Sequence, residues 1–136
     1  MFTAKVYRVM VCSLSGTMEE VFVAKDAIRK WNQENAERAG KVYLLVEDTT
    51  HQEDADVLIG VVGNWVEKTN VVEAFFDAGK RVMLFFNGYH DPKNTMLSEE
   101  QDVDQFRSAF QEECLIAEYR GMSELRELIE ANMESK

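Results

Sequence analysis

A single glutamate interrupts an apolar stretch in the middle of the chain. Glu73 lies in TNVVEAFFDAGK, residues 69–80, just past the most hydrophobic run of the sequence. A carboxylate beside a ligand can act as a nucleophile or as a general acid or base. In the first turns of a helix, the helix dipole can also simply stabilise it. Helical periodicity points Val72 and Phe75 at the core and places Glu73 on a flank, which leaves both roles open.

A second group of polar residues follows the first predicted strand. Ser13, Ser15, Gly16 and Thr17 lie in SLSGT, directly before a predicted helix. Hydroxyl groups and unpaired backbone N–H groups at a helix N-terminus suit a phosphate or a sugar hydroxyl. The same residues can instead be ordinary helix caps. The two glutamates that follow disfavour a dianion at this position.

Two further loops carry aromatic residues. The loop after the third predicted strand contains Gly63, Asn64 and Trp65, and the loop after the fourth contains Tyr89. Trp65 and Tyr89 can hold a planar ring between them, or they can simply cover the edge of the sheet. Both loops are therefore candidate ligand-binding segments.

The strands and helices that position these loops follow from the pattern of apolar residues. Runs of β-branched and apolar residues predict strands at 5–13, 41–47, 55–63, 81–86 and 114–119. Helices are predicted from Thr17 to Gly40, over 70–79, from Ser98 and from Ser123. Their expected core-facing residues are Val21, Ala24, Ile28 and Trp31, then Val72, Phe75 and Phe76, then Val103, Phe106 and Phe110, and finally Leu125, Leu128, Ile129 and Met133.

The alternation of strands and helices predicts a mostly parallel sheet that is covered on both faces. The length of 136 residues and the lack of a linker or low-complexity tract predict one domain over residues 1–136. Right-handed crossovers then favour an α/β three-layer sandwich with a flavodoxin-like, mostly parallel five-stranded sheet in the order 2-1-3-4-5. Ligands of such folds bind at the carboxyl ends of the strands, near the switch point between strands one and three. The three loops above lie at that edge.

One connection is irregular. Only about seven or eight residues join strands two and three, whereas a crossover helix normally needs ten or more. The connection is therefore extended, or strand two pairs in an unusual way, and the sequence leaves both alternatives open.

The composition limits the classes of partner. The 136 residues carry a net charge of −10, and 46% of them are hydrophobic. Such a chain has enough apolar residues for a core, and it repels nucleic acids and anionic membranes. The acidity can equally serve solubility alone.

The cysteines and the apolar runs bear on metal binding and on localisation. Cys12 and Cys114 lie far apart, and with two histidines the chain has no zinc-ligand spacing, so we expect no metal. Free thiols, the lack of a signal-peptide core in MFTAKVYRVM and the short apolar runs predict a cytoplasmic protein.

Several stretches together resemble an uncharacterised bacterial family. They are YRVMVCSLS with the following EE and AIRKWN, ADVLIGVVG, T..VEAF..AGKRVMLFF, EEQDVDQFRSAF and LIAEY with SELRELI. That family is similar to the nucleoside 2-deoxyribosyltransferase-like group, which includes TIR-type folds. The resemblance implies a nucleoside or nucleotide as small-molecule ligand and a homodimer as the assembly to expect.

The resemblance also assigns a role to Glu73. Active members of that group carry a glutamate nucleophile on the helix after strand three. The residues that match the surrounding motif here are Thr69, Glu73, Ala74, Gly79 and Lys80. By that analogy Glu73 attacks C1′ of a ribosyl or deoxyribosyl group and forms a glycosyl-enzyme intermediate. The chain departs from the group in its turn VEKTN and in the short link DTTHQED between strands two and three.

Three functions remain open at this point. The first is an enzyme that cleaves or transfers an N-glycosidic bond, with Glu73 as nucleophile and Ser13 and Ser15 placing the sugar or phosphate. The second is an inactive relative that binds a nucleotide-like ligand or a protein. The third is a flavodoxin-like FMN-binding electron carrier, and only this hypothesis requires a cofactor.

Overall fold

A five-stranded parallel sheet lies at the centre of the fold. The computed structural model describes residues 3–14, 18–46, 54–62, 69–87, 108 and 115–134. Neighbouring strands pair in parallel in the order β2-β1-β3-β4-β5, so the predicted fold class and strand order are confirmed. The strands are β1 (Lys5–Ser13), β2 (Lys41–Leu45), β3 (Val57–Val62), β4 (Arg81–Asn87) and β5 (Leu115–Tyr119).

Three helices of the described residues follow the predicted pattern. They are α1 (Met18–Ala39), α2 (Thr69–Asp77) and α3 (Met122–Glu134). Gly40 and Gly79, the predicted stops, take φ values of 69° and 73°, which glycine adopts without strain. The helix predicted from Ser98, with its apolar stripe, lies outside the described residues except for Ser108, which is helical.

The last helix begins earlier than its sequence suggests. Ser123 was the predicted cap, but the N–H of Leu125 donates to the carbonyl oxygen of Gly121 at 3.2 Å. Because the cap residue is the one whose carbonyl accepts the first helical hydrogen bond, Gly121 caps α3. Ser123 therefore lies within the first turn, where its side chain is exposed.

One face of the sheet is covered by α1 and α3. All four predicted core residues of α1 are buried, and so are Leu125, Ile129 and Met133 of α3, while Leu128 is partly buried against them. An ion pair between Arg126 and Asp26, with an N–O distance of 2.8 Å, joins the two helices. No helix in the described ranges is long and apolar enough to cross a membrane.

The other face is covered by α2, which packs on β3 and β4. Val72 and Phe75 are buried there as predicted. Phe76, predicted to face the core with them, is only partly buried. Successive helical residues turn by about 100°, so Phe76 lies at the margin of the stripe that Val72 and Phe75 define.

An asparagine side chain pairs with the backbone in the middle of the outer edge of β2. The Asn32 side-chain nitrogen donates to the carbonyl oxygen of Tyr43 at 2.7 Å, and the Tyr43 N–H donates to Asn32 Oδ1 at 2.9 Å. The amide thus takes the place of a neighbouring strand and occupies backbone groups that would otherwise attract another chain.

The irregular connection between β2 and β3 does not alter the pairing of β2. Its register with β1 is an ordinary parallel one, which excludes the alternative of unusual pairing. On both sides of residues 47–53, which lie outside the described residues, the chain stays bound to β1. The Val46 N–H donates to Val9 O at 2.8 Å, and the Asp56 N–H donates to Arg8 O at 2.7 Å.

Candidate functional site

The carboxyl edge of the sheet between β1 and β3 is the topological switch point of this fold. Ser13, the last residue of β1, lies in register with Val61 of β3. From this edge β1 continues towards α1, which leads to β2 on one side, and β3 continues towards α2, which leads to β4 on the other. Because the chain leaves in opposite directions here, the two strand ends are not covered by one crossover, and in folds of this kind ligands bind at such a point.

The start of the first candidate loop is firmly anchored. Leu14 is fully buried, and its N–H donates to the carbonyl oxygen of Val61 at 2.9 Å. The space that it fills exists because residue 60 is glycine. A Cβ atom at Gly60 would lie 3.1 Å from Leu14 Cδ1 and 3.0 Å from Leu84 Cδ2, which is too close for ordinary packing. The loop therefore leaves the sheet from a fixed point.

Leu14 and Gly60 were not among the candidate site residues. A glycine inside the apolar strand VLIGVV is a signal of close approach by another part of the chain. The sequence does not indicate which residue approaches, because Leu14 and Gly60 come together only through the pairing of β1 with β3.

The structure describes three of the predicted site residues. Ser13 is partly buried at the end of β1, and Thr69 is the first residue of α2. Glu73 follows one turn later and is exposed. The pairing of β1 with β3 thus brings Ser13 to the strand edge from which α2 departs. The other predicted ligand-binding residues, which lie outside the described residues, stay predictions: Ser15, Gly16, Thr17, Gly63, Asn64, Trp65 and Tyr89.

Cys12 lies directly before this edge. It is partly buried against the α2-side core, and its Sγ contacts the carbonyl oxygen of Ser13 at 3.6 Å. Within the described ranges no cluster of three or more His, Cys, Asp or Glu side chains is placed to bind a metal ion.

Tyr119 places a phenol at the same edge, on the α1 side of the sheet. It is the last residue of β5 and is 2% exposed, and its hydroxyl has no hydrogen-bond partner among the residues that the structure describes. Burial raises the pKa of Tyr119 far above the ordinary value of 10.0, and the carboxylate of Glu20, in the first turn of α1, adds to the rise. The phenol therefore stays protonated in the folded protein.

Replacing Tyr119 with phenylalanine is expected to raise the free energy of unfolding at neutral pH by about 1 kcal/mol, since it removes an unpaired buried hydroxyl. The stability of the wild-type protein relative to the variant should also fall at high pH. The pKa of Tyr119 is higher in the folded protein than in the unfolded chain. The protonated phenol therefore contributes fully to stability below pH 10.0, and this contribution is lost as the pH rises through the folded pKa. Urea unfolding above pH 10.0 should thus widen the advantage of the variant.

Tyr7 provides the control for this substitution. It is only partly buried, and its ring stacks on that of Tyr43 with centroids 5.5 Å apart. We expect Tyr7→Phe to change the free energy of unfolding by less than about 0.5 kcal/mol. Destabilisation by Tyr119→Phe at neutral pH would mean that the hydroxyl forms a hydrogen bond in solution.

The strand order and the helices on both faces of the parallel sheet define a flavodoxin-like α/β fold. A flavodoxin from Streptococcus pneumoniae TIGR4 superposes with a TM-score of 0.53 and 13% identity, over 97% of this chain and 100% of that chain. A short-chain flavodoxin associated with a non-canonical PDU bacterial microcompartment does so with a TM-score of 0.50 and 14% identity, over 99% of each chain.

A designed protein shares the same architecture. A de novo designed Rossmann 2x3 fold superposes with a TM-score of 0.55 and 13% identity, over 95% of this chain and 90% of that chain. No known protein-family model matches the sequence, and no curated protein matches it. At such low identities these similarities establish the fold alone.

Proposed function

We propose that this chain is a flavodoxin-like module that binds a mononucleotide at the carboxyl edge between β1 and β3, with FMN as the ligand to test first. The observation that carries the proposal is the switch point itself, where Ser13 ends β1 at a position fixed by the burial of Leu14. The loop that starts there leads into the N-terminus of the 22-residue helix α1. A helix N-terminus offers N–H donors and a favourable dipole to a phosphate.

The acidic first turn of α1 limits the way in which a phosphate can bind. Glu19 and Glu20 place two carboxylates there, which repel a phosphate dianion. Glu20 lies close enough to Tyr119 to raise its pKa, so its charge acts on the α1 side of the sheet. Glu19 is exposed, and solvent screens its charge. The phosphate would therefore bind through the loop and the N–H groups, with Ser13 at the base of the cradle.

Fluorescence titration with FMN and riboflavin tests this function. FMN fluorescence is expected to change on binding, and FMN should bind more tightly than riboflavin because only FMN carries the phosphate. Ser13→Asp should weaken FMN binding at least about tenfold, since it adds a negative charge beside the phosphate. Thr3→Asp is the matched control, because Thr3 is exposed just before β1, at the opposite, amino edge of the sheet. A wild-type protein that leaves FMN fluorescence unchanged would refute FMN as the ligand.

A second candidate function is cleavage or transfer of an N-glycosidic bond. The exposure of Glu73, one turn into α2, favours it, because a nucleophile must be accessible to its substrate. The Glu73 carboxylate would attack C1′ of a nucleoside, and the bond to the base would break with its electron pair leaving on the base. The base takes up a proton, and water or a second base then releases the sugar.

Chromatography of the released base tests this second candidate. Wild-type protein incubated with deoxynucleosides or with NAD should release base, and Glu73→Gln should reduce the rate at least about a hundredfold. Asp77→Asn is the matched control, because Asp77 is an exposed acid at the end of the same helix. Equal release, or equal absence of release, by wild type and Glu73→Gln would eliminate Glu73 as a nucleophile and leave the binding function to be judged by the titration.

A further inference from the structure

Part of the sheet exposes apolar side chains on the α2 side. Val6 of β1 is 53% exposed and Leu44 of β2 is 52% exposed. The register pairs Val6 with Val42 and Arg8 with Leu44, so these four residues form a square on two adjacent strands. Val42 is partly buried, and Arg8 is exposed. We call this square the β1/β2 patch.

The layering of the helices explains the exposure of the β1/β2 patch. In the described part of the chain, α1 and α3 lie on the opposite face, and α2 packs on β3 and β4. The link from β2 to β3 returns to β1 at Val46 and Asp56, and a crossover helix does not fit into the residues between them. Parallel sheets of folded proteins are nearly always covered on both faces. Among the described elements, none covers the β1/β2 patch, in keeping with the exposure of Val6 and Leu44.

The charged residues around the β1/β2 patch indicate which kind of molecule can bind to it. Arg8 is exposed on it in a chain whose net charge is −10. Next to Arg8, on the side away from β2, Asp56 is exposed, and its Oδ2 accepts a hydrogen bond from the Arg8 N–H at 2.9 Å. The region thus contains an apolar centre, a cation and an anion. A surface of this kind is complementary to itself, because a twofold axis through the apolar centre can place Arg8 of one copy beside Asp56 of the other.

We propose that a second copy of this chain covers the β1/β2 patch in a twofold-symmetric homodimer. Val6, Val42 and Leu44 form the apolar centre of the interface, and Arg8 pairs with the other copy's Asp56 at its rim. The contact is face to face rather than by strand addition, because the Asn32 side chain already pairs with the backbone N–H and C=O of Tyr43 in the middle of the outer edge of β2. In β1 the patch lies in the first half of the strand, ahead of the register at which β3 begins, so the dimer contact is separated from the carboxyl edge where Ser13 lies.

Sedimentation velocity and light scattering test the homodimer. Wild-type protein is expected to associate to dimers as its concentration rises from micromolar to millimolar. Leu44→Asp should weaken the association at least about a hundredfold, since it buries a carboxylate at the apolar centre. Phe22→Asp is the matched control, because Phe22 is also exposed, at 69%, but lies on α1 at the opposite face. It should leave the association unchanged.

A charge reversal provides a second and independent variant. Arg8→Glu places two like charges together at each rim contact and should weaken the dimer about tenfold or more, with a smaller effect at high salt. Far-ultraviolet circular dichroism shows whether each variant is folded. A wild type that stays monomeric at millimolar concentration would overturn the proposal. A dimer that Phe22→Asp dissociates while Leu44→Asp and Arg8→Glu preserve it would also overturn it.

Discussion

Replacing Leu14 with alanine is expected to lower the free energy of unfolding by about 2–5 kcal/mol, the cost of removing a fully buried leucine side chain. Leu14 is 0% exposed, and it fills the space above Gly60 next to Leu84. The cavity cannot collapse easily, because the sheet below it is held by the pairing of β1, β3 and β4. Chemical denaturation with urea or guanidinium chloride measures the loss.

The substitution should also affect the proposed ligand site. Without the Leu14 side chain, the base of the loop loses its packing over Gly60 and keeps the hydrogen bond from the residue 14 N–H to Val61 O. We therefore expect affinity for the ligand to fall together with stability. Leu115→Ala is the control, because Leu115 is 40% exposed on the edge strand β5, and it should cost less than about 1 kcal/mol.

A double-mutant cycle of Leu14 and Gly60 tests whether the two residues pack against each other. Gly60→Ala alone is expected to cost about 1–3 kcal/mol, because its Cβ meets Leu14 and Leu84 at 3.1 and 3.0 Å. In the Leu14→Ala background the added methyl group partly fills the cavity and should cost less. The two substitutions are therefore not additive. Additive costs, or a Leu14→Ala cost below about 1 kcal/mol, would show that Leu14 does not pack over Gly60 in solution.

The second large effect is expected at Phe75. Phe75→Ala should lower the free energy of unfolding by about 3–5 kcal/mol, because this ring is 3% exposed and docks α2 on the sheet. The ammonium of Lys80 also lies 5.4 Å from the centre of the ring, and this cation–π contact is lost with it. The same denaturant experiment measures the change.

Phe76 offers a matched control for Phe75 on the same helix. It is only partly buried, so Phe76→Ala should cost clearly less than Phe75→Ala. Equal losses at the two positions would mean that α2 is rotated about its axis relative to the sheet. In that case the position of Glu73 on the flank of α2 would change as well. The pair of variants thus tests both the packing of α2 and the placement of the candidate nucleophile.

The sequence alone predicted the elements and their order in the sheet. Period-two and period-3.6 patterns are local properties, so the five strands and the helices α1, α2 and α3 follow from short stretches of residues. The order 2-1-3-4-5 follows from the right-handedness of crossovers between parallel strands. The topology also placed Ser13 at the edge where ligands of such folds bind. These conclusions need no knowledge of which residues touch across the fold.

Other features depend on contacts between distant parts of the chain. The packing of Leu14 over Gly60, the cap that Gly121 provides for α3 and the unpaired hydroxyl of Tyr119 are visible only once the elements are assembled. The exposure of Val6 and Leu44 is of the same kind, since nothing in a strand's own sequence says whether a helix lies above it.

Local patterns therefore determined the architecture of this protein and the edge at which a ligand is expected. The tertiary structure decided which residue anchors that edge, which phenol is buried beside it and which apolar side chains of the sheet stay exposed. The physical reason is that periodicity reports only the face on which a side chain lies. Burial and hydrogen bonding depend on what the rest of the chain brings to that face.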